Sequence, residues 1–93
     1  MNDNDDRPIY IIVGRVWRKK GGDSEGCHVF LAAPDDDTAV KASLEALAQE
    51  GYVEAELDQI GEMIDMPDEE PHMSAYQGAT EGEVSIVTFE EIT

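Results

Sequence analysis

The chain has 93 residues, enough for one small domain, and 41% of them are hydrophobic. Its one cysteine excludes an internal disulfide framework, and no stretch reaches the ~20 apolar residues of a membrane span. A formal net charge of −16 disfavours direct binding to nucleic acid or to an anionic membrane, because both repel a negative protein. We therefore expect a cytoplasmic protein whose partner is a basic protein.

The first third of the chain predicts a mobile tail followed by a β-hairpin. Residues 1–7 form an acidic tail, and residues 8–93 form a single domain. Ile9–Trp17 is rich in β-branched and aromatic residues, which predicts a strand. A glycine pair then breaks the run, and Cys27–Ala33 predicts a second strand paired with the first.

A long helix is predicted next. Pro34 ends the sheet, and the carboxylates of Asp35–Asp37 suit the start of a helix. The helix extends to about Glu50, with Gly51 as the residue that ends it. The stripe expected to face the core consists of residues at helical spacing: Val40, Leu44, Leu47 and Ala48.

The last part of the chain adds two strands and a short helix. Tyr52–Leu57 alternates apolar and acidic residues as a half-buried strand does, and Gly61 then marks a bulge or bend. Met73–Ala79 predicts a short helix, and Glu83–Phe89 predicts a final strand. The order β-β-α-β-(α)-β predicts an α+β fold in two layers. We expect a mainly antiparallel four-stranded sheet, with the long helix, and the short helix if it forms, packed on one face.

We expect no metal, no cofactor and no catalytic site. Cys27 and His28 are too few for a zinc site, so Cys27 is interpreted as a buried hydrophobe and His28 as a strand residue facing water. The acidic segments 35–37 and 65–70 lack the alternating ligands of a calcium loop. Nucleophilic catalysis would require Cys27 as the nucleophile and His72 as the base to meet in space, and no sequence motif indicates that they do. The chain is thus predicted to be non-catalytic.

The distribution of charge is the strongest functional signal. Residues 1–31 hold five basic and five acidic side chains, whereas residues 32–93 hold one cation, Lys41, and 17 carboxylates. This excess is larger than the net charge of about 2–8 that keeps a small domain soluble. Either it is an ordinary solvated surface, or it attracts a basic partner.

Two groups of carboxylates and one aromatic residue are the candidate partner-binding residues. Three alternate along the third strand, where they form a row at about 6.6 Å intervals: Glu54, Glu56 and Asp58. Three more form a flanking patch in the following loop: Asp68, Glu69 and Glu70. Trp17, among Arg15, Arg18 and Lys19, either caps one end of the core or anchors a partner.

In size and charge, residues 32–93 resemble the small acidic inhibitors that phages and bacteria direct against nucleic-acid enzymes, namely DNA-mimic proteins and some anti-CRISPR proteins. The resemblance is one of composition and includes no shared motif. It implies a protein that blocks a basic nucleic-acid-binding surface by stoichiometric binding, without turnover. The third-strand row would then lie at the centre of the contact, with the loop patch beside it.

Two alternatives remain open from the sequence. An immunity protein against a basic nuclease toxin would use the same physics on a different partner. An accessory subunit would bind instead through an apolar strand edge and Trp17.

Overall fold

The computed structural model describes residues 8–90, which form six elements in the order β-β-α-β-α-β. The strands are β1 (Ile9–Trp17), β2 (Ser24–Ala32), β3 (Glu54–Met63) and β4 (Ser85–Glu90), and the helices are α1 (Asp36–Gln49) and α2 (His72–Thr80). The α+β class and the element order are confirmed. The predicted tail at residues 1–7 and the last three residues of the predicted domain lie outside the described residues.

The four strands form one antiparallel sheet, as the sequence predicts, and the structure gives their spatial order as β3-β1-β2-β4. β1 and β2 form the central hairpin, with Ile9 opposite Ala32 and Trp17 opposite Ser24. α1 connects β2 to β3, which pairs with the outer side of β1. The acidic strand β3 is therefore one edge of the described sheet, and β4 is the other.

The two helices contact opposite faces of the sheet. Along β2, Val29 and Leu31 belong to the core that includes residues of α1, whereas Phe30 belongs to a second core with Ala75 and Ala79 of α2. Since successive strand residues point to opposite faces, the sheet has a helix on each side. The prediction that both helices pack on the same face of the sheet is therefore wrong. The physical reason is that β1 and β2 carry apolar residues on both faces, and both must be covered.

Local signals define α1. Asp35 is the N-cap, and its Oδ1 accepts a hydrogen bond of 2.8 Å from the Thr38 amide. Gly51 follows the helix with a φ of 99°, which favours glycine. The buried stripe is shifted from the predicted one, because Leu44 is 43% exposed and the buried residues are Ala39, Ser43 and Leu47. Small residues at this contact allow the helix to lie close to the sheet.

β3 extends six residues beyond the predicted end of its strand, to Met63. The other elements begin and end within three residues of their predicted bounds. β3 continues because β1 pairs with it along its full length, from Ile9 to Trp17. No bend occurs at Gly61, which lies opposite Ile11 in regular register.

The irregularity in β3 is at Asp58. Val13 pairs with Gln59 and the adjacent Gly14 pairs with Leu57, so Asp58 is an extra residue without a partner in the β1–β3 register. A Cβ atom at Gly14 would lie 3.0 Å from the Cα atom of Leu57, and closer still to the backbone of β3. Glycine at this position therefore allows the two strands to approach at the bulge.

Candidate interaction surface

The predicted acidic row is interrupted by the bulge. Glu54 lies opposite Trp17 and Glu56 lies opposite Arg15, so these four residues share one face of the sheet. Beyond the bulge, Gln59 rather than Asp58 returns to that face, since it pairs with Val13. The row therefore consists of two carboxylates, because one extra residue shifts the alternation of the strand.

Arg15 and Glu56 form the one ion pair found among residues 8–90. Their side chains are 41% and 54% exposed, so the pair contributes about 0–1 kcal/mol to stability. The Arg15 guanidinium also lies 5.9 Å from the centre of the Trp17 ring, within the range of a cation–π contact. Glu54, the next carboxylate on this face, has no ion-pair partner within the described part of the chain.

The predicted flanking patch divides into a structural and an exposed part. The Glu70 carboxylate accepts two hydrogen bonds from Ser74, one from its backbone amide at 3.0 Å and one from its hydroxyl at 2.8 Å. Glu70 thus stabilises the first turn of α2, where an acidic group is favourable. Asp68 and Glu69 are exposed in the loop before the helix.

A second acidic surface lies at the other end of β3. Asp35 and Asp36 at the start of α1 and Glu62 of β3 act together on Tyr10 of β1. Desolvation of the phenol, followed by the negative charge of these three carboxylates, raises the pKa of Tyr10. We call Asp35, Asp36 and Glu62 the acidic end. The strand rise separates Glu62 from Glu54 by about 25 Å.

His28 contacts α2 instead of facing water, which corrects the prediction for this residue. Its Nδ1 lies 2.8 Å from Nε2 of His72, the first residue of α2, so the N–H of one ring donates a hydrogen bond to the unprotonated nitrogen of the other. The His28 ring also lies 5.0 Å from that of Phe89, and the His72 ring 5.6 Å from that of Phe30. Burial, and then the neighbouring His72, lower the pKa of His28.

The sheet separates Cys27 from both histidines. Cys27 is fully buried in the core on the α1 side, whereas His28 and His72 meet on the α2 side. Burial raises the pKa of the Cys27 thiol, which keeps it protonated and poorly nucleophilic. No group of three metal-ligating side chains is found within residues 8–90. Among the same residues, no helix is long and apolar enough to cross a membrane.

Within residues 8–90, the α2 side of the sheet is only partly covered. α2 spans nine residues, or about 14 Å, whereas the nine residues of β1 extend over about 26 Å. The helix packs over the end of the sheet that holds Ile9 and Phe30. At the other end lie the residues that we call the open face: Arg15, Trp17, Glu54, Glu56 and Phe89.

Phe89 is a member of the open face that no pattern in the sequence identifies. It pairs with Gly26 of β2, and a Cβ atom at Gly26 would lie 2.7 Å from the Phe89 Cζ atom and closer still to the neighbouring Cε2 atom. The ring therefore lies across the glycine backbone, and its side chain is still 43% exposed. Only the β2–β4 register places it there.

Comparisons with protein-family models, with curated proteins and with solved structures found no match for this chain.

Proposed function

We propose that this protein is a non-catalytic acidic inhibitor that occupies a basic, nucleic-acid-binding surface of another protein. The observation that carries the proposal is the placement of carboxylates at both ends of one edge strand. The acidic end lies on the α1 side of this edge and Glu54 lies on its α2 side, about 25 Å away, so negative charge extends along the edge over a length comparable to several nucleotides. Negative charge in this arrangement suits a groove lined with lysine and arginine.

The balance of charges supports an attraction to a separate molecule. Within residues 8–90, only Glu56 forms an ion pair, and most of the other carboxylates, apart from the helix-capping Asp35 and Glu70, make no side-chain hydrogen bond that would compete with a cationic partner. The net charge of −16 also accelerates association with a basic protein at low ionic strength. A basic nuclease toxin would be attracted in the same way. The identity of the partner therefore distinguishes an inhibitor of a nucleic-acid-binding protein from an immunity protein.

The test is salt-dependent capture followed by nucleic-acid displacement. The tagged protein is incubated with a lysate of its native cells at about 50 mM and about 500 mM salt, since electrostatic binding weakens steeply over this range. We expect a nucleic-acid-binding protein that is retained only at low salt. One equivalent of the acidic protein should then displace nucleic acid from it. A captured protein that keeps its nucleic acid in the presence of excess acidic protein would contradict the proposal.

A pair of charge-matched variants tests the two ends of β3. Glu54→Gln/Glu62→Gln removes one carboxylate from each end, and Glu45→Gln/Glu50→Gln removes two exposed carboxylates, one in α1 and one at its C-cap. The first variant should bind the captured partner more weakly and with a smaller dependence on salt. The second should retain more affinity. Equal losses would mean that net charge alone drives the association.

A further inference from the structure

The open face carries two aromatic side chains that neither core uses. Trp17 is half-buried at the end of β1, and Phe89 lies on β4. Their partners in β2 are Ser24 and Gly26, two residues apart, so the Cα atoms of Trp17 and Phe89 are separated by about 12 Å. Exposed aromatic residues on a flat sheet surface are typical of the centre of a protein interface.

The charges on the open face favour one kind of side chain. Glu54 is directly opposite Trp17, which places their Cβ atoms about 5 Å apart. One strand position further along, Arg15 pairs with Glu56 and reaches the Trp17 ring. The Glu54 carboxylate is thus a second acidic group beside the Trp17 indole. Within the described residues, no cation is paired with it.

We infer that the open face binds an arginine-bearing segment of the partner protein. The guanidinium lies between the Trp17 indole and the Glu54 carboxylate, and a neighbouring apolar group packs on Phe89. This inference rests on the proposed function and names the chemistry that the partner presents. An ammonium group also makes cation–π contacts, but only a planar guanidinium can stack flat on an aromatic ring and form two parallel hydrogen bonds with a carboxylate. A second copy of this chain is a poor occupant, because each copy carries a charge of −16.

Two peptides of equal charge test the inference. The probes are hexa-arginine and hexa-lysine, both acetylated and amidated, titrated at low salt by calorimetry and by tryptophan fluorescence. Trp17 is the only tryptophan of the chain, so its emission reports on the open face. We expect hexa-arginine to bind about three- to five-fold more tightly, because its planar group can stack on the indole while it forms two hydrogen bonds with the carboxylate. We also expect it alone to change the emission of Trp17.

Two single variants locate the binding site. Glu54→Gln removes one charge from the open face, and Glu45→Gln removes one from α1, on the opposite side of the sheet. Glu54→Gln should abolish the preference for arginine, whereas Glu45→Gln should preserve it. Both side chains are exposed, and identical thermal unfolding of the two variants would confirm that the fold is unchanged.

The outcomes separate this inference from the proposed function. If both peptides bind with equal affinity, and both substitutions reduce that affinity by the same factor, the open face is not an arginine site. The proposal of charge-driven inhibition would still stand. If the arginine preference persists in Glu54→Gln, the inference is also wrong, because the preference arises elsewhere. If neither peptide binds at low salt, the inference fails together with the electrostatic basis of the proposed function.

Discussion

The same substitution at three strand glycines should have three different effects on stability. Gly14→Ala places a methyl group 3.0 Å from the Cα atom of Leu57 and 3.1 Å from the carbonyl carbon of Glu56. Both are backbone atoms of β3, which the strand ladder holds in place. β3 therefore has to move away from β1 at the bulge, by several tenths of an ångström or more. This bulge is the feature that removes Asp58 from the acidic row.

The magnitude follows from what each methyl group contacts. Overpacking against backbone at Gly14 should cost about 2–3 kcal/mol, which corresponds to a fall in Tm of about 10–20 °C for a domain of this size. At Gly26 the methyl group contacts the Phe89 ring, which is partly exposed and able to rotate away, so we expect a cost of about 1 kcal/mol. At Gly61 no atom lies within 4 Å, and alanine should change stability by at most about 1 kcal/mol in the stabilising direction.

Urea and thermal denaturation of the three variants provide the comparison, with Gly61→Ala as the matched control. Circular dichroism follows unfolding, and amide exchange of β3 shows whether the damage is local to the β1–β3 ladder. If Gly14→Ala were as stable as Gly61→Ala, close approach of the strands would not be the reason for glycine at this position. Equal losses at Gly14 and Gly26 would instead show that contact distance alone, without regard to side-chain mobility, determines the cost.

Three further predictions concern a buried hydroxyl, a helix cap and the histidine pair. The buried Ser43 hydroxyl has no hydrogen-bond partner within the described residues, so Ser43→Ala should raise the free energy of unfolding by about 1 kcal/mol in urea, and a decrease would contradict this. The backbone hydrogen bond from Thr38 lowers the pKa of the Asp35 carboxyl, so its stabilising effect is lost as the pH falls through that lowered pKa. Asp35→Asn retains a cap and should lose less stability than Asp35→Ala at pH 7. The difference in the free energy of unfolding between Asp35→Asn and wild type should become smaller as the pH is lowered. Since the pKa of His28 is lowered from 6.5, the unfolded chain takes up the proton first as the pH falls. Wild type should therefore lose more stability between about pH 7.5 and pH 5 than His28→Gln, and parallel pH profiles would refute this role.

Elements whose signals are local could be predicted from the amino-acid sequence. The bounds of β1 follow from a run of β-branched and aromatic residues, and those of α1 follow from Asp35 and Gly51. Each of these signals acts within one turn or one strand, where side-chain sterics and backbone hydrogen bonds operate without help from distant residues. The α+β class follows from the order of these elements, and the charge that supports the proposed partner is a property of composition.

The positions of the candidate functional groups depend on the tertiary structure. Asp58 left the acidic row because β1 and β3 meet at Gly14 with an extra residue. The acidic end, the histidine pair and the contact of Phe89 with Gly26 join residues between 26 and 63 positions apart, and strand register and helix placement set these contacts. α2 covers the second face because both faces of the central hairpin are apolar, and it is too short to extend over the open face. These arrangements depend on which apolar surfaces the whole chain can bury together, and no single segment of the sequence contains that information.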